Sequence, residues 1–270
     1  MQLTTLTTSV IRLTLLAILL WPMDLDAMSN DELFAQLSAL KWRQAFHDAC
    51  TGDWQDDWFL DGQRATVRNT PIGMVLSAGP IPQDNASHCV LWTNASFAGD
   101  VKIEFDYWRL DTIQQYVNII YIQATGTGDE PYVGDIAAWS HLREIPYMST
   151  YFEHMQLLHV SFAAFGADVS EGDYVRARRY PVTPDRAFGE LALLPDNFDT
   201  GLFAPGEKHR FTIIKHGNAL LMRVATVDKE MLFGWDTSAF GPITEGRIGL
   251  RHMWTRCSRY ADFTVSVIGP

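Results

Sequence analysis

The stretch Tyr174-Val175-Arg176-Ala177-Arg178-Arg179-Tyr180 holds residue types that can recognise an anion, at a spacing that can present them together. Side chains of an extended strand alternate between faces, so Tyr174, Arg176, Arg178 and Tyr180 share one side while Val175 and Ala177 turn to the other. A guanidinium is a planar fork of donors matched to a carboxylate or sulfate, and a phenol adds a flat apolar ring with a polar tip. Together they suit an acidic sugar polymer. The run before it, His154 to Phe165, carries His154 and Gln156 on one parity and His159 and Ser161 on the other, so either parity can add an imidazole to the same cleft.

Cleavage of a uronate chain by β-elimination needs three parts. A cation or amide neutralises the carboxylate, a base removes the C5 proton, and an acid protonates the leaving oxygen. His159, Tyr180 and Arg178 are the candidate catalytic residues on this reading. Tyr174, Arg176 and the strand amides Asn118 and Gln123 are candidate substrate contacts, with Trp92, Trp139 and Trp254 as stacking platforms. A tyrosine has an ordinary pKa of about 10, so Tyr180 would need adjacent positive charge to work as a base near neutrality. Two alternatives stay open. Hydrolysis needs two carboxyls flanking one bond, and Glu104 and Asp106 share a parity, although Lys102 joins them. A non-catalytic sugar-binding surface would use the same arginines and aromatic rings.

The elements that must position these residues are strands. From His47 onward, short alternating runs are separated by Gly, Pro, Asn and Asp, the pattern of an antiparallel sandwich. Val101 to Tyr107 alternates apolar with polar, whereas Tyr116 to Gln123 is apolar on both parities and reads as a central strand. Arg210 to Trp235 reads as a meander with turns at Gly217-Asn218 and Asp228-Lys229. Thr125 to Glu144 is a long insertion with Gly and Pro turns and a possible helical turn, a natural place for ligand contacts. Upstream, Ser29 to Phe46 has a capping residue, an acidic first turn and Leu33, Leu37 and Leu40 at helical spacing. The expected fold is all-β: two facing antiparallel sheets with a short N-terminal helix.

Three segments follow: a signal peptide over 1–27, a helical extension over 28–46, and a sandwich domain over 47–270. The first has Arg12 ahead of an apolar run from Leu13 to Trp21, too short to span a bilayer, and small Ala27 as the cleavage position. Leu25 stands where a small residue is favoured, so an uncleaved anchor is the alternative. The mature chain has no transmembrane segment on this reading and is expected to be secreted or periplasmic. The net charge of the full sequence, −11, disfavours a general nucleic-acid footprint, so an acidic ligand would need a local basic patch. Cys50, Cys89 and Cys257 allow three pairings and leave at least one thiol free. No CxxC, HExxH or Cys/His cluster suggests a metal; the acidic loop Asp53 to Asp61 could hold a structural calcium but matches no specific motif.

His47-Asp48 to Trp58-Phe59-Leu60-Asp61-Gly62, then His88-Cys89-Val90-Leu91-Trp92, Phe97 to Tyr107, and Gly246-Arg247-Ile248-Gly249-Leu250-Arg251 make the chain resemble the YesU-like family. The likeness runs from about Phe46 onward. It implies a concanavalin- or laminin-G-like jelly roll associated with polysaccharide degradation, and a polysaccharide or oligosaccharide partner. It implies no established catalytic residues and no cofactor.

Overall fold

An alternating strand such as Val101 to Tyr107 must cover its apolar side, and a second sheet supplies that cover. The computed structural model describes residues 28–166 and 172–268. After helix α1 (Asn30–Ser38) come strands β1 (Trp42–Asp48), β2 (Trp58–Asp61), β3 (Thr66–Thr70), β4 (Gly73–Ser77), β5 (Cys89–Thr93), β6 (Phe97–Ala98), β7 (Val101–Arg109) and β8 (Tyr116–Gly126). An insertion with a 3-10 segment (Ile136–Arg143) and helix α2 (Met148–His154) leads to β9 (Met155–Phe165) and β10 (Asp173–Tyr180). The chain closes with β11 (Ala192–Phe198), β12 (Lys208–His216), β13 (Ala219–Ala225), β14 (Glu230–Asp236), β15 (Glu245–His252) and β16 (Cys257–Ile268).

All ladders are antiparallel. Sheet A runs β14-β13-β12-β7-β16-β4-β3 with β1 added along β16, and sheet B runs β11-β10-β9-β8-β15-β5-β2 with β6 added along β15. Between them lies the main core, drawn from one parity of every central strand: Ile103, Phe105 and Tyr107 of β7 meet Ile120, Leu158, Phe162, Val175 and Leu250 of sheet B. Phe105 is its centre, stacked on Phe211 at 4.6 Å and on Phe263 at 5.3 Å. Outside sheet A, α1 seals a smaller cluster with Phe34 and Leu37 against Ile214 and Leu221. Its start carries a capping box: Ser29 Oγ accepts from the Glu32 amide, and Glu32 accepts from the Ser29 amide at 3.0 Å.

The two-sheet jelly roll with a short N-terminal helix is the expected fold, and the Gly217-Asn218 turn joins β12 to β13 with Gly217 at a left-handed φ of 53°. The helix is shorter than the Ser29–Phe46 reading. It stops at Ser38, and Trp42–Asp48 is instead β1, an edge strand pairing with the last half of β16. Its buried side is one face of a short strand, which helical spacing of leucines upstream had obscured. Strand β11 was also not expected, because Pro195 interrupts it; as a sheet edge it tolerates a residue without an N–H. Residues 1–27, read as a signal peptide, lie outside the described residues. Glu104 and Asp106 face outward from sheet A and are bound to cations, Glu104 to Lys102 at 3.0 Å and Asp106 to Lys208 and Arg210.

The three cysteines are free thiols. Cys50 and Cys89 are fully buried, and Cys257 sits beside Ser77 Oγ at 3.1 Å. Burial pushes the Cys89 thiol up to about 12 and the Cys50 thiol higher still.

Truncating the central ring tests the packing. Phe105→Ala is expected to cost about 3–5 kcal/mol, read as a lower urea midpoint with an unchanged slope; a loss below about 1 kcal/mol would contradict a close-packed centre.

Candidate functional site

The outer face of sheet B sets polar and charged side chains among a second buried apolar cluster, and strand register explains which residues meet there. One cross-strand row reads Asp61, Val90, Arg251, Ile119, Ser161, Arg176; the next reads Phe59, Trp92, Gly249, Tyr121, His159, Arg178, Ala192. Alternation then fixes the facing: Val175 and Ala177 enter the main core, while Tyr174, Arg176 and Arg178 are half-buried on the outer side and Tyr180 is buried there.

The insertion between β8 and β9 packs over this face, its 3-10 segment against β8 and α2 against β9 and β10. Asp61 holds it down. Its Oδ2 accepts from Arg143 Nε at 2.6 Å, from Trp92 Nε1 at 2.7 Å and from the Tyr151 hydroxyl at 3.1 Å, all four groups fully or almost fully buried. Under this clamp Trp92, Tyr121 and Tyr151 form a triangle of near-parallel rings, with centroids 5.5, 5.7 and 6.4 Å apart. The triangle depends on Gly249: a Cβ there would lie 2.5 Å from the Trp92 ring, so only glycine lets the indole cross β15 towards Tyr121.

The cations stand on two strands, Arg176 and Arg178 on β10 and Arg251 on β15. Arg176 Nε donates to Asp196 at 2.7 Å, and its guanidinium lies 4.8 Å over the Tyr174 ring. Arg178 lies 4.9 Å over Phe188, and its buried Nε has no hydrogen-bond partner among the described residues. Arg251 is fully buried, 4.5 Å over Tyr151; its Nη2 donates to the Pro146 carbonyl at 3.0 Å, while Nε and Nη1 have no partner among the described residues. Two carboxylates share the face with these three arginines: Asp196 pairs with Arg176, and Asp61 pairs with Arg143. Exposed Tyr147, next to Pro146, and Phe188 border them.

Between the arginines runs a hydrogen-bonded chain. Tyr180 Oη is 2.7 Å from His159 Nδ1, and His159 Nε2 is 2.7 Å from Ser161 Oγ. Burial, then the charges of Arg178, Arg251 and Arg176, hold His159 well below its ordinary pKa, so it is neutral. Tyr180 is driven the other way: burial raises its phenol well above the usual value, and the pull of Arg178 does not offset this. This corrects the assignment of Tyr180 as the base, since its hydroxyl is enclosed and holds its proton. His159, 2 % exposed with both ring nitrogens engaged, does not reach the surface either.

Several expected contacts lie elsewhere. Asn118 points between the sheets and donates to Tyr107 Oη at 2.7 Å and Ser258 Oγ at 3.0 Å. Gln123 sits at a bulge with a left-handed φ of 52°, which turns its amide onto the carbonyls of Phe97 and Gly99, both at 2.9 Å. Neither can bond a sugar hydroxyl. Trp92 and Trp139 are buried rather than stacking platforms; Trp139 lies within the insertion, its Nε1 donating to Val133 and its ring under Arg143 at 4.2 Å. Trp254 remains half-exposed at the end of the sheet, 4.1 Å from His88 and 5.1 Å from Tyr116. Among the described residues no group of three or more His, Cys, Asp or Glu side chains is arranged to hold a metal. Asp61 of the acidic loop is drawn into the clamp instead. Arg251, Arg143, Asp61 and Tyr151 were not foreseen. The alternation Arg247-x-Gly249-x-Arg251 against Ile248 and Leu250 is the signal that could have found Arg251.

No family profile matches the chain, and no curated protein does. Solved structures do. A Bacillus subtilis protein of unknown function with a galectin-like fold superposes with a TM-score of 0.62 at 18% identity, covering 84% of this chain and 100% of the other. The lectin UEA-II in complex with galactose gives 0.53 at 12% identity, covering 83% and 99%. The exoplasmic/lumenal domain of VIP36 in its Ca2+/Man3GlcNAc-bound form gives 0.54 at 8% identity, covering 83% and 89%. At these identities the likeness shows a galectin- and lectin-like jelly roll.

Two outcomes follow from the clamp and the buried imidazoles. Asp61→Ala, which strands Arg143 without a counter-charge, is expected to destabilise the fold by about 3–5 kcal/mol, with hydrogen exchange rising first in residues 127–154; no change in either would remove the clamp. Burial, then Arg251, lowers His88 to about 2, and burial, then Arg256, lowers His252 to about 3. Below about pH 6.5 the unfolded chain takes up protons that these two and His159 refuse when folded, so stability present above that pH is lost as pH falls, by up to about 1.4 kcal/mol per unit for each histidine. Urea midpoints at pH 7 and pH 5 check this, and equal midpoints would contradict it.

Proposed function

We propose that this protein binds acidic carbohydrate on the outer face of sheet B, with Arg178 and Arg176 gripping carboxylate or sulfate groups and Tyr174, Tyr147 and Phe188 receiving sugar rings. One observation carries the reading: on this face Arg178 and Arg251 keep donors without a hydrogen-bond partner among the described residues, and Arg178 is only half-buried. Donors buried without partners are costly, and an oxyanion is the partner whose geometry they fit. The ligands of two structural neighbours, galactose for UEA-II and Man3GlcNAc for VIP36, support sugar as the class. The resemblance to the YesU-like family points to polysaccharide breakdown as the setting. Action after export belongs to the same proposal and rests on the apolar run near the N-terminus.

β-Elimination is the second reading, favoured by the Tyr180–His159–Ser161 chain, whose neutral imidazole and terminal hydroxyl lie among the arginines. Such a chain can relay a proton. Binding alone is the stronger reading because the whole chain is buried.

Affinity electrophoresis in polygalacturonate and in neutral glucan gels decides the first point. Retardation by the acidic polymer, weakening with salt, is expected, and Arg178→Ala should lower affinity roughly 10- to 100-fold, as loss of a contact worth about 1.5–3 kcal/mol implies. Equal retardation of wild type and variant would sink the site. Ultraviolet absorbance of an unsaturated product, lost in His159→Ala, would select the lyase; binding without new absorbance or reducing ends selects the binding protein.

A further inference from the structure

Consecutive residues of β10 face opposite ways, so Arg179 cannot join the outer-face arginines. It lies instead beside a cavity of ≈ 370 Å³ formed by the ends of β8 and β10, the start of β9 and the loop between β14 and β15. Arg179 is 6 % exposed, and its Nε and Nη2 share one acceptor, the Gly241 carbonyl, at 3.3 and 3.2 Å. Arg186, from the turn after β10, reaches the same cavity, donating to the Ala239 carbonyl at 3.3 Å and lying 4.2 Å over Phe240. Among the described residues no acidic side chain lines the space.

The arrangement is unfavourable for the empty protein. A guanidinium taken out of water with one carbonyl for a partner is poorly compensated, and a second cation beside it adds repulsion. Burial, then Arg186, brings Arg179 down to about 10. In a chain of net charge −11, a carboxylate is the ordinary remedy, and none among the described residues lines this cavity. The remaining lining is what a sugar ring would use: the hydroxyls of Thr127 and Thr183 and the amide of Gln156 can each donate and accept. The volume is at the small end of ligand pockets.

We propose that this cavity is a second recognition site, separate from the sheet face, which takes a single sugar residue bearing a carboxylate or sulfate, its oxyanion held between Arg179 and Arg186. A polymer lying on the sheet and a terminal acidic sugar in the cavity would be read by adjacent arginines of one strand, pointing to different sides.

The test is titration of the full chain with sodium glucuronate, glucose and inorganic sulfate, followed by amide chemical shifts. Glucuronate is expected to shift Thr127, Thr183 and Gly241 in a saturable way, at least ten-fold more tightly than glucose and more tightly than sulfate. Arg186→Ala, at a half-exposed turn position, should keep the fold and weaken those shifts at least ten-fold. Arg179→Gln should do the same while retaining a donor for Gly241. Arg178→Ala, on the other side of the strand, should leave them unchanged, so failure of the sheet-face site and failure of this one are separable. Equal response to glucose and glucuronate, sulfate binding as tightly as glucuronate, no shift at these amides, or indifference to Arg186→Ala would each overturn the proposal.

Discussion

The buried contact between Arg143 and Asp61 governs the arrangement of the site. Two charges leave water to make it, and the cost is large unless the remaining valences are filled. Trp92 and Tyr151 help fill them by donating to the same carboxylate oxygen. The three donors come from β5, the 3-10 segment and α2, so the carboxylate of β2 fixes the insertion relative to the sheet. The arginines divide accordingly: Arg251 lies sealed beneath the insertion, while Arg176 and Arg178 stand half-buried on β10.

Electrostatics follow from this division. The chain is acidic overall, yet Arg251, Arg178 and Arg176 act together strongly enough to hold His159 neutral alongside its burial. The sealed Arg251 is screened little by solvent, so its charge reaches across the sheet to His88 and His159 more effectively than an exposed arginine would. A local positive field on a negative molecule discriminates by position: an anionic polymer is repelled broadly and held at one face.

The pattern around Tyr174–Tyr180 could be read from sequence because period-two alternation is a local property of any strand, and Val175 and Ala177 mark which side is core. The two-sheet architecture was legible for the same reason, from runs such as Val101–Tyr107. What alternation cannot supply is departure from itself. The bulge at Gln123 turns an expected surface amide inward, and register across sheets puts Asn118 opposite Tyr107. Nor does composition show coverage: Trp92 does lie on the outer face, as a stacking platform must, but an insertion more than thirty residues downstream in sequence buries it. The clamp joins Asp61 to residues 82 and 90 positions away, a separation at which single-chain patterns carry no signal.

The sulfur chemistry of the sandwich has a consequence for handling it. With no bridge among Cys50, Cys89 and Cys257, cohesion comes from apolar packing, and a reducing agent removes no cross-link. The two interior thiols are closed to oxidants and alkylating reagents on both counts that matter, access and thiolate fraction. Burial raises the Cys257 thiol too, but it alone of the three is partly exposed, so selective labelling in the native state falls there and gives a single attachment point for a probe.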